Sequence, residues 1–359
     1  VNRDTKNIKI KIMKKLRIIT GIALMSILGF TSCQSEVNDV QGQNPNTNAA
    51  NSTTANNLKR TSMYDGSFDD FIDGASCSSI VLPATAIVNG TRVTLLTQLN
   101  YTQVISILGQ FNNDQDSVTL QFPLKVKMSN YTEVTVNSQA EYNAIVNACT
   151  SAQSSGQDAI SSVNITFPIT ILTYNVSLEQ TGSIVITSEQ QLYTYMSTIS
   201  STELFSVNYP MTVTLIDGTK TTVSSDAEFQ AAINASLKTE ATMQEAVQNS
   251  KKLETILVNG AFKVQSFVSA GVDSANSYKD NTIDFANDMS IKVINTLSTT
   301  ATGTYAMSSQ VDVFLKLNFT GNASFSLLNN TWKVSSFSAS SITLQSTTNA
   351  GVTLVLNQI

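Results

Sequence analysis

The side chains available for chemistry are few and of narrow type. The chain of 359 residues has no histidine. That excludes every nucleophile system in which an imidazole takes the proton, whether the nucleophile is serine or cysteine. It also excludes zinc sites with imidazole ligands. The cysteines are Cys33, Cys77 and Cys149. Two thiols without histidine make a poor metal site, so no metal and no cofactor are expected. Carboxylates remain. The stretch YDGSFDDFIDG, 64–74, carries Asp65, Asp69, Asp70 and Asp73. Carboxylates and turn carbonyls are calcium ligands, but this spacing fits no calcium loop, and the stretch reads as a solvated acidic linker. NNDQDS, 112–117, lacks the glycine and terminal glutamate of an EF-hand and reads as a turn. Many acids have structural work: Glu141 and Glu228 sit where helix caps are expected, and Asp217 sits in a turn. A paired-carboxylate glycoside hydrolase is therefore kept only as an alternative to a protein that is not an enzyme.

Cys33 has a context of its own. From Met13 the chain reads MKKLR, then runs apolar from Ile18 to Phe30, and the small residues Thr31 and Ser32 precede the cysteine. A basic segment followed by a short apolar one is the pattern of an export signal, and the run is shorter than a spanning helix needs. These residues resemble the lipobox of bacterial lipoproteins. The resemblance implies that 1–32 is an upstream extension and signal peptide, and that Cys33 is acylated and becomes the first residue. It implies a membrane partner reached through that lipid. Gln34, in place of an aspartate, implies the outer membrane, facing the periplasm or the cell surface. Residues 33–62 are rich in Asn, Thr, Ser and Gln and read as the lipidated cysteine and a disordered tether. In an oxidising envelope the remaining pair, Cys77 and Cys149, is expected to form a disulfide, with two buried free thiols as the alternative.

The elements that must position these groups show a period. Pro83, Pro123, Pro168 and Pro210 lie in similar surroundings: an apolar strand, the proline, an alternating strand, a turn and a second alternating strand. Asn89-Gly90 and Asp217-Gly218 are hairpin signals. Ser138-Gln-Ala-Glu141, Ser188-Glu-Gln-Gln191 and Ser225-Asp-Ala-Glu228 are capping boxes ahead of amphipathic helices, and Thr97-Gln-Leu-Asn100 is a weaker one. Residues 63–241 are thus expected to be an α+β domain of four β-hairpin-plus-helix units, each proline marking a bulge or an edge. A bond between Cys77 and Cys149 would clasp the first two units.

From 242 to 359 a helix ending at Asn259-Gly260 is followed by short strands with polar turns, which points to a mostly antiparallel barrel or sandwich. Leu253, Ile256-Leu257, Gly260-Ala-Phe-Lys-Val264, Asp273, Tyr278, Ile283-Asp-Phe285, Gly303-Thr-Tyr305, Leu315-Lys-Leu317, Leu328 to Val334 and Ile342-Thr-Leu344 resemble the lipocalin-like domain of Bacteroidota (Flavobacterium-type) envelope lipoproteins. That implies a fold and no ligand. Asp116-Ser-Val118 and Asp273-Ser-Ala275 resemble the short O-glycosylation motif of the same bacteria. Charged residues are 13% of the chain and the net charge is −5, so a nucleic-acid partner is not expected. The expected role is a non-enzymatic, membrane-anchored binding or interaction module whose partner is an envelope protein or glycan. A lipocalin-like carrier of a small apolar ligand is the alternative.

Overall fold

The computed structural model describes residues 44–111, 115–295 and 298–359. Cys33, the signal segment and residues 112–114 lie outside the described residues. The described chain has three buried cores.

The first two cores are built from twelve short strands. Those of the first lobe are β1 Ser78–Val81, β2 Ala84–Val88, β3 Thr91–Leu95, β4 Val118–Leu120, β5 Leu124–Met128 and β6 Glu133–Val136. Those of the second lobe are β7 Val163–Ile165, β8 Ile169–Tyr174, β9 Gln180–Ile186, β10 Leu204–Val207, β11 Met211–Leu215 and β12 Lys220–Val223. Each hairpin pairs with itself, as local turn chemistry dictates: Asn89 and Gly90 both take positive φ, of 46° and 79°. The strand ahead of each proline behaves differently. β1 pairs with β5 of the next segment, and β4 pairs back with β2. In the second lobe β7 pairs with β11 and β10 with β8. The four prolines lie outside the strands, so none marks the bulge or strand edge expected of it. Each follows a cis peptide bond and stands between strands of two different sheets. The four proline-centred segments accordingly do not stand as four self-contained units. They join two by two through exchanged strands, because a strand of three or four residues beside a hairpin completes its hydrogen bonding only on the neighbour's edge.

Helices α1 Thr53–Thr61, α2 Tyr101–Leu108, α3 Gln139–Ser154, α4 Glu189–Thr198 and α5 Asp226–Val258 cover these sheets. The serine caps form: the hydroxyls of Ser138, Ser188 and Ser225 accept from the N–H three residues on. The returning side chain reaches one residue further than expected, to the N–H ahead of the cap: Asn137 to Glu141 at 2.8 Å and Ser224 to Glu228 at 2.7 Å. Ser225→Ala is expected to cost about 1 kcal/mol, read as a lower midpoint in urea denaturation.

Two expectations are corrected here. The segment from residue 44 to 62 is not a tether. It forms α1, whose Ala55 and Leu58 enter the second core. Its polar residues are bonded rather than solvated: Asn48 Nδ2 donates to Asp226 at 2.7 Å, and Asn44 Nδ2 to Ser206 at 3.0 Å. Low hydrophobicity predicted disorder, but side-chain amide bonds add to the burial of Ala55 and Leu58 as the source of order. Second, α5 is one helix of 33 residues, not two separated near 238–241. Lys238-Thr-Glu-Ala-Thr242 contains no glycine or proline to break it. α5 carries Phe229 and Ile233 into the second core and Ala246, Leu253 and Leu257 into the third. The first and second lobes also meet through aromatic side chains. Lys127 Nζ lies 4.1 Å from the Tyr64 ring centroid, the Tyr131 and Tyr193 rings meet tilted at 52° with centroids 5.8 Å apart, and the Tyr131 hydroxyl donates to the Ser62 carbonyl at 2.8 Å.

The third core fills a closed eight-stranded antiparallel barrel, consistent with a lipocalin-like one. Its strands are β13 Ala261–Ser269, β14 Asn281–Phe285, β15 Ser290–Asn295, β16 Ser298–Ser309, β17 Val313–Thr320, β18 Asn330–Phe337, β19 Ser341–Ser346 and β20 Thr353–Gln358. They pair in chain order, and β20 closes on β13. Alternation is plain in β17, where Val313, Leu315, Leu317 and Phe319 are buried, while Val311 lies ahead of the strand and is exposed. Gly303 is required where it stands, since a Cβ there would meet the Asn318 carbonyl oxygen at 2.5 Å.

Candidate functional site: an acidic cleft beside the disulfide

The stretch 64–74 is not the solvated linker its composition suggested. Asp65 starts a tight turn, accepting from the Ser67 N–H at 2.9 Å and the Ser67 hydroxyl at 3.0 Å. Two short helical turns follow, Ser67–Asp69 and Asp70–Asp73, closed by Gly74 at φ 69°. Gly66 lets this turn lie against β1: a Cβ there would sit 2.0 Å from the Ser78 carbonyl oxygen. Asp69 is fully buried and Asp73 nearly so. Asp69 Oδ2 takes the Ile80 N–H at 2.9 Å and the Tyr101 hydroxyl at 3.4 Å. Asp73 Oδ1 takes the Ala75 N–H at 3.0 Å. The turn is thus buried because its carboxylates supply acceptors to backbone that the short strand β1 leaves unpaired.

Beyond the turn, Cys77 and Cys149 are bonded, with Cα atoms 5.4 Å apart. The bond joins the start of β1 to the body of α3. Together with the turn it forms one wall of a cleft of about 230 Å³. The cleft is also lined by Asp158, Ala159 and Ser161 and by Leu237, Glu240 and Gln244 of α5. Four carboxylates line it: Asp65, Asp70, Asp158 and Glu240. Arg60 is committed to one of them, its guanidinium 3.0 Å from Asp158 Oδ1 and its Nε bonded to the Asp158 carbonyl at 2.7 Å. Burial holds the Glu240 carboxyl above its ordinary range, with the charges of Asp158 and Asp65 adding to the effect. Asp70 is raised in the same way, burial outweighing the bond from the Ser76 hydroxyl at 2.6 Å. Such a cleft favours a positively charged group of the size of one amine-bearing side chain.

The other sequence candidates fall outside the cleft. Ser117 is exposed ahead of β4, and the Ser274 hydroxyl donates to the Phe267 carbonyl at 3.3 Å. Among the described residues no three acidic or cysteine side chains are placed to hold a metal ion, and no helix is long and apolar enough to cross a membrane. Of the cleft residues, Asp158 and Glu240 carried no signal in the sequence. Each is a single acid in a polar segment, brought in by the fold alone. No protein family, no curated protein and no solved structure matches this chain.

Proposed function

We propose that this protein is a non-catalytic interaction module of a bacterial envelope, held at the outer membrane by a lipid on Cys33, and that it engages a partner protein through the acidic cleft. The observation that carries the proposal is the cleft itself, with four carboxylates around about 230 Å³ and its one nearby guanidinium already paired. A lysine or arginine side chain of a partner matches that volume and charge. The absence of histidine supports a binding role over a catalytic one. The carrier alternative has less support. Phe262, Phe285, Phe267, Tyr278, Phe325 and Trp332 pack ring against ring at 5.1–6.5 Å in the space a carried ligand would need. We take the four proline-centred segments as copies of one ancestral unit, and the barrel as lipocalin-like in descent as well as shape. Acids in the cleft also keep the glycoside hydrolase alternative in view.

The test uses the full chain in its own envelope. Labelled palmitate should appear on the protein, and a pull-down should recover one stoichiometric partner that is lost at high salt. The double variant D65N/E240Q should lose that partner while its melting temperature stays the same or rises, because like charges have been removed from a half-buried site. Recovery of an unchanged partner by the double variant would overturn the role of the cleft. Turnover of an envelope polysaccharide, abolished by the same substitutions, would replace binding with hydrolysis.

A further inference from the structure

Each hairpin of the first two lobes leaves its second strand on the rim of a sheet: β3, β6, β9 and β12. A rim strand offers unpaired N–H and C=O groups at alternate residues. A charge on it keeps a second copy of the same strand away, because antiparallel self-pairing brings like charges together. Three of the four carry such a charge: Arg92 in β3, Glu133 in β6 and Lys220 in β12. β9, which reads Gln-Thr-Gly-Ser-Ile-Val-Ile, carries none. It is also the longest, with seven residues against five, four and four. Of the opposite rims, β1 is buried for most of its length, and β4 and β7 have three residues each. Among the described residues β9 pairs with β8 only, and a bulge at Thr181 leaves Gly182 to Ile186 as its regular part. In that part Ser183 and Val185 are exposed, Val185 to 56%. Ile184 and Ile186 point to the other face. There they line a groove of about 490 Å³ together with Gln191, Thr194, Tyr195 and Thr198 of α4, and no charged side chain lines it.

We infer that two copies of this chain associate by pairing β9 with β9, antiparallel about a two-fold axis, so that two four-stranded sheets become one and the grooves beside α4 are covered. Such an interface is isologous, since one patch serves both copies. Over Gly182 to Ile186 the pairing centres on Ile184. It sets Ser183 across from Val185 and Gly182 across from Ile186. Gly182 has no side chain, so Ile186 of the second copy enters the groove beside it without obstruction. The neutrality of β9 selects a second copy over a foreign chain. A charge on a rim strand excludes its own copy and leaves a partner of opposite sign free to bind. That self-excluding charge is what the other three hairpins have and β9 lacks. No residue of β9 lines the acidic cleft, so this interface and the cleft stand or fall separately.

Sedimentation velocity of the full chain in detergent tests this. The wild type should show a monomer–dimer equilibrium that shifts with protein concentration, and its melting temperature should rise with concentration as well. V185K places a lysine on the exposed face of the strand, twice per dimer by symmetry. It should weaken association about tenfold and leave the melting temperature of the dilute monomer unchanged. S183K should do the same, and it decides if V185K does not fold. D65N/E240Q should dimerise as the wild type does. In the wild type, amides of Gly182 to Ile186 that face away from β8 should exchange more slowly as concentration rises. Association through the lipid, the micelle or another face would be indifferent to both lysines, and that result would overturn the pairing. So would a wild type that is monomeric at every concentration, including one that instead binds a foreign strand in a manner sensitive to V185K.

Discussion

Trp332→Ala is expected to lower the stability of the barrel by about 3–5 kcal/mol, the range for emptying a large aromatic from a closed core. Trp332 has no exposed surface and packs edge-on to Phe267 at 6.5 Å. Its Nε1–H donates to the Leu328 carbonyl at 3.0 Å, so truncation leaves a buried acceptor without its donor as well as a cavity. The loss should be confined to residues after about 246, because Trp332 belongs to the third core only. Circular dichroism in urea reads the total effect. Hydrogen exchange locates it: amides of β13–β20 should open earlier, and those of β1–β6 should not change. Trp332→Phe keeps most of the ring and should cost less. A uniform loss across all three cores would show that α5 couples them into one cooperative unit.

The second large effect concerns Cys77–Cys149, which joins residues 72 apart in sequence. Closing a loop of that length restricts the unfolded chain, and its removal is expected to cost about 4 kcal/mol. The double variant C77S/C149S avoids leaving a reactive thiol and should show this loss in the first lobe alone, where both residues pack on the first core, that of β1–β6. The wild type with reductant should match it. Because the bond lines the acidic cleft, partner capture should fall in parallel. If reduction left urea midpoints unchanged, the bond would have no part in holding the lobe together.

What the sequence disclosed, and what it hid, follows from the range of the interactions. Hairpin turns and serine caps are decided within five residues, so Asn89-Gly90, Ser138 and Ser225 were legible. The period-two pattern of Leu315, Leu317 and Phe319 exposes a barrel face for the same reason. The exchange of β1 with β4 was not legible: both strands satisfy the local pattern, and nothing nearby names a partner some 40 residues away. α1 was hidden because Asn44, Asn48 and Asn57 order it through side-chain hydrogen bonds, which composition cannot display. The acidic turn misled for the opposite reason. Four aspartates in ten residues signal water, yet Asp69 is buried because the Ile80 N–H needed an acceptor. Half of the cleft was visible as that acidic run; Asp158 and Glu240 were not, since each enters from a distant element.

The exchange of strands also constrains how such a chain grows. A fifth segment inserted alone would bring a strand whose mate is missing, together with a hairpin edge left bare and ready to recruit a foreign chain. Two added segments would satisfy one another at once. On the proposal that the four segments are copies of one unit, lengthening would proceed in doublets, and longer or shorter versions of this architecture would carry an even number of prolines at these junctions.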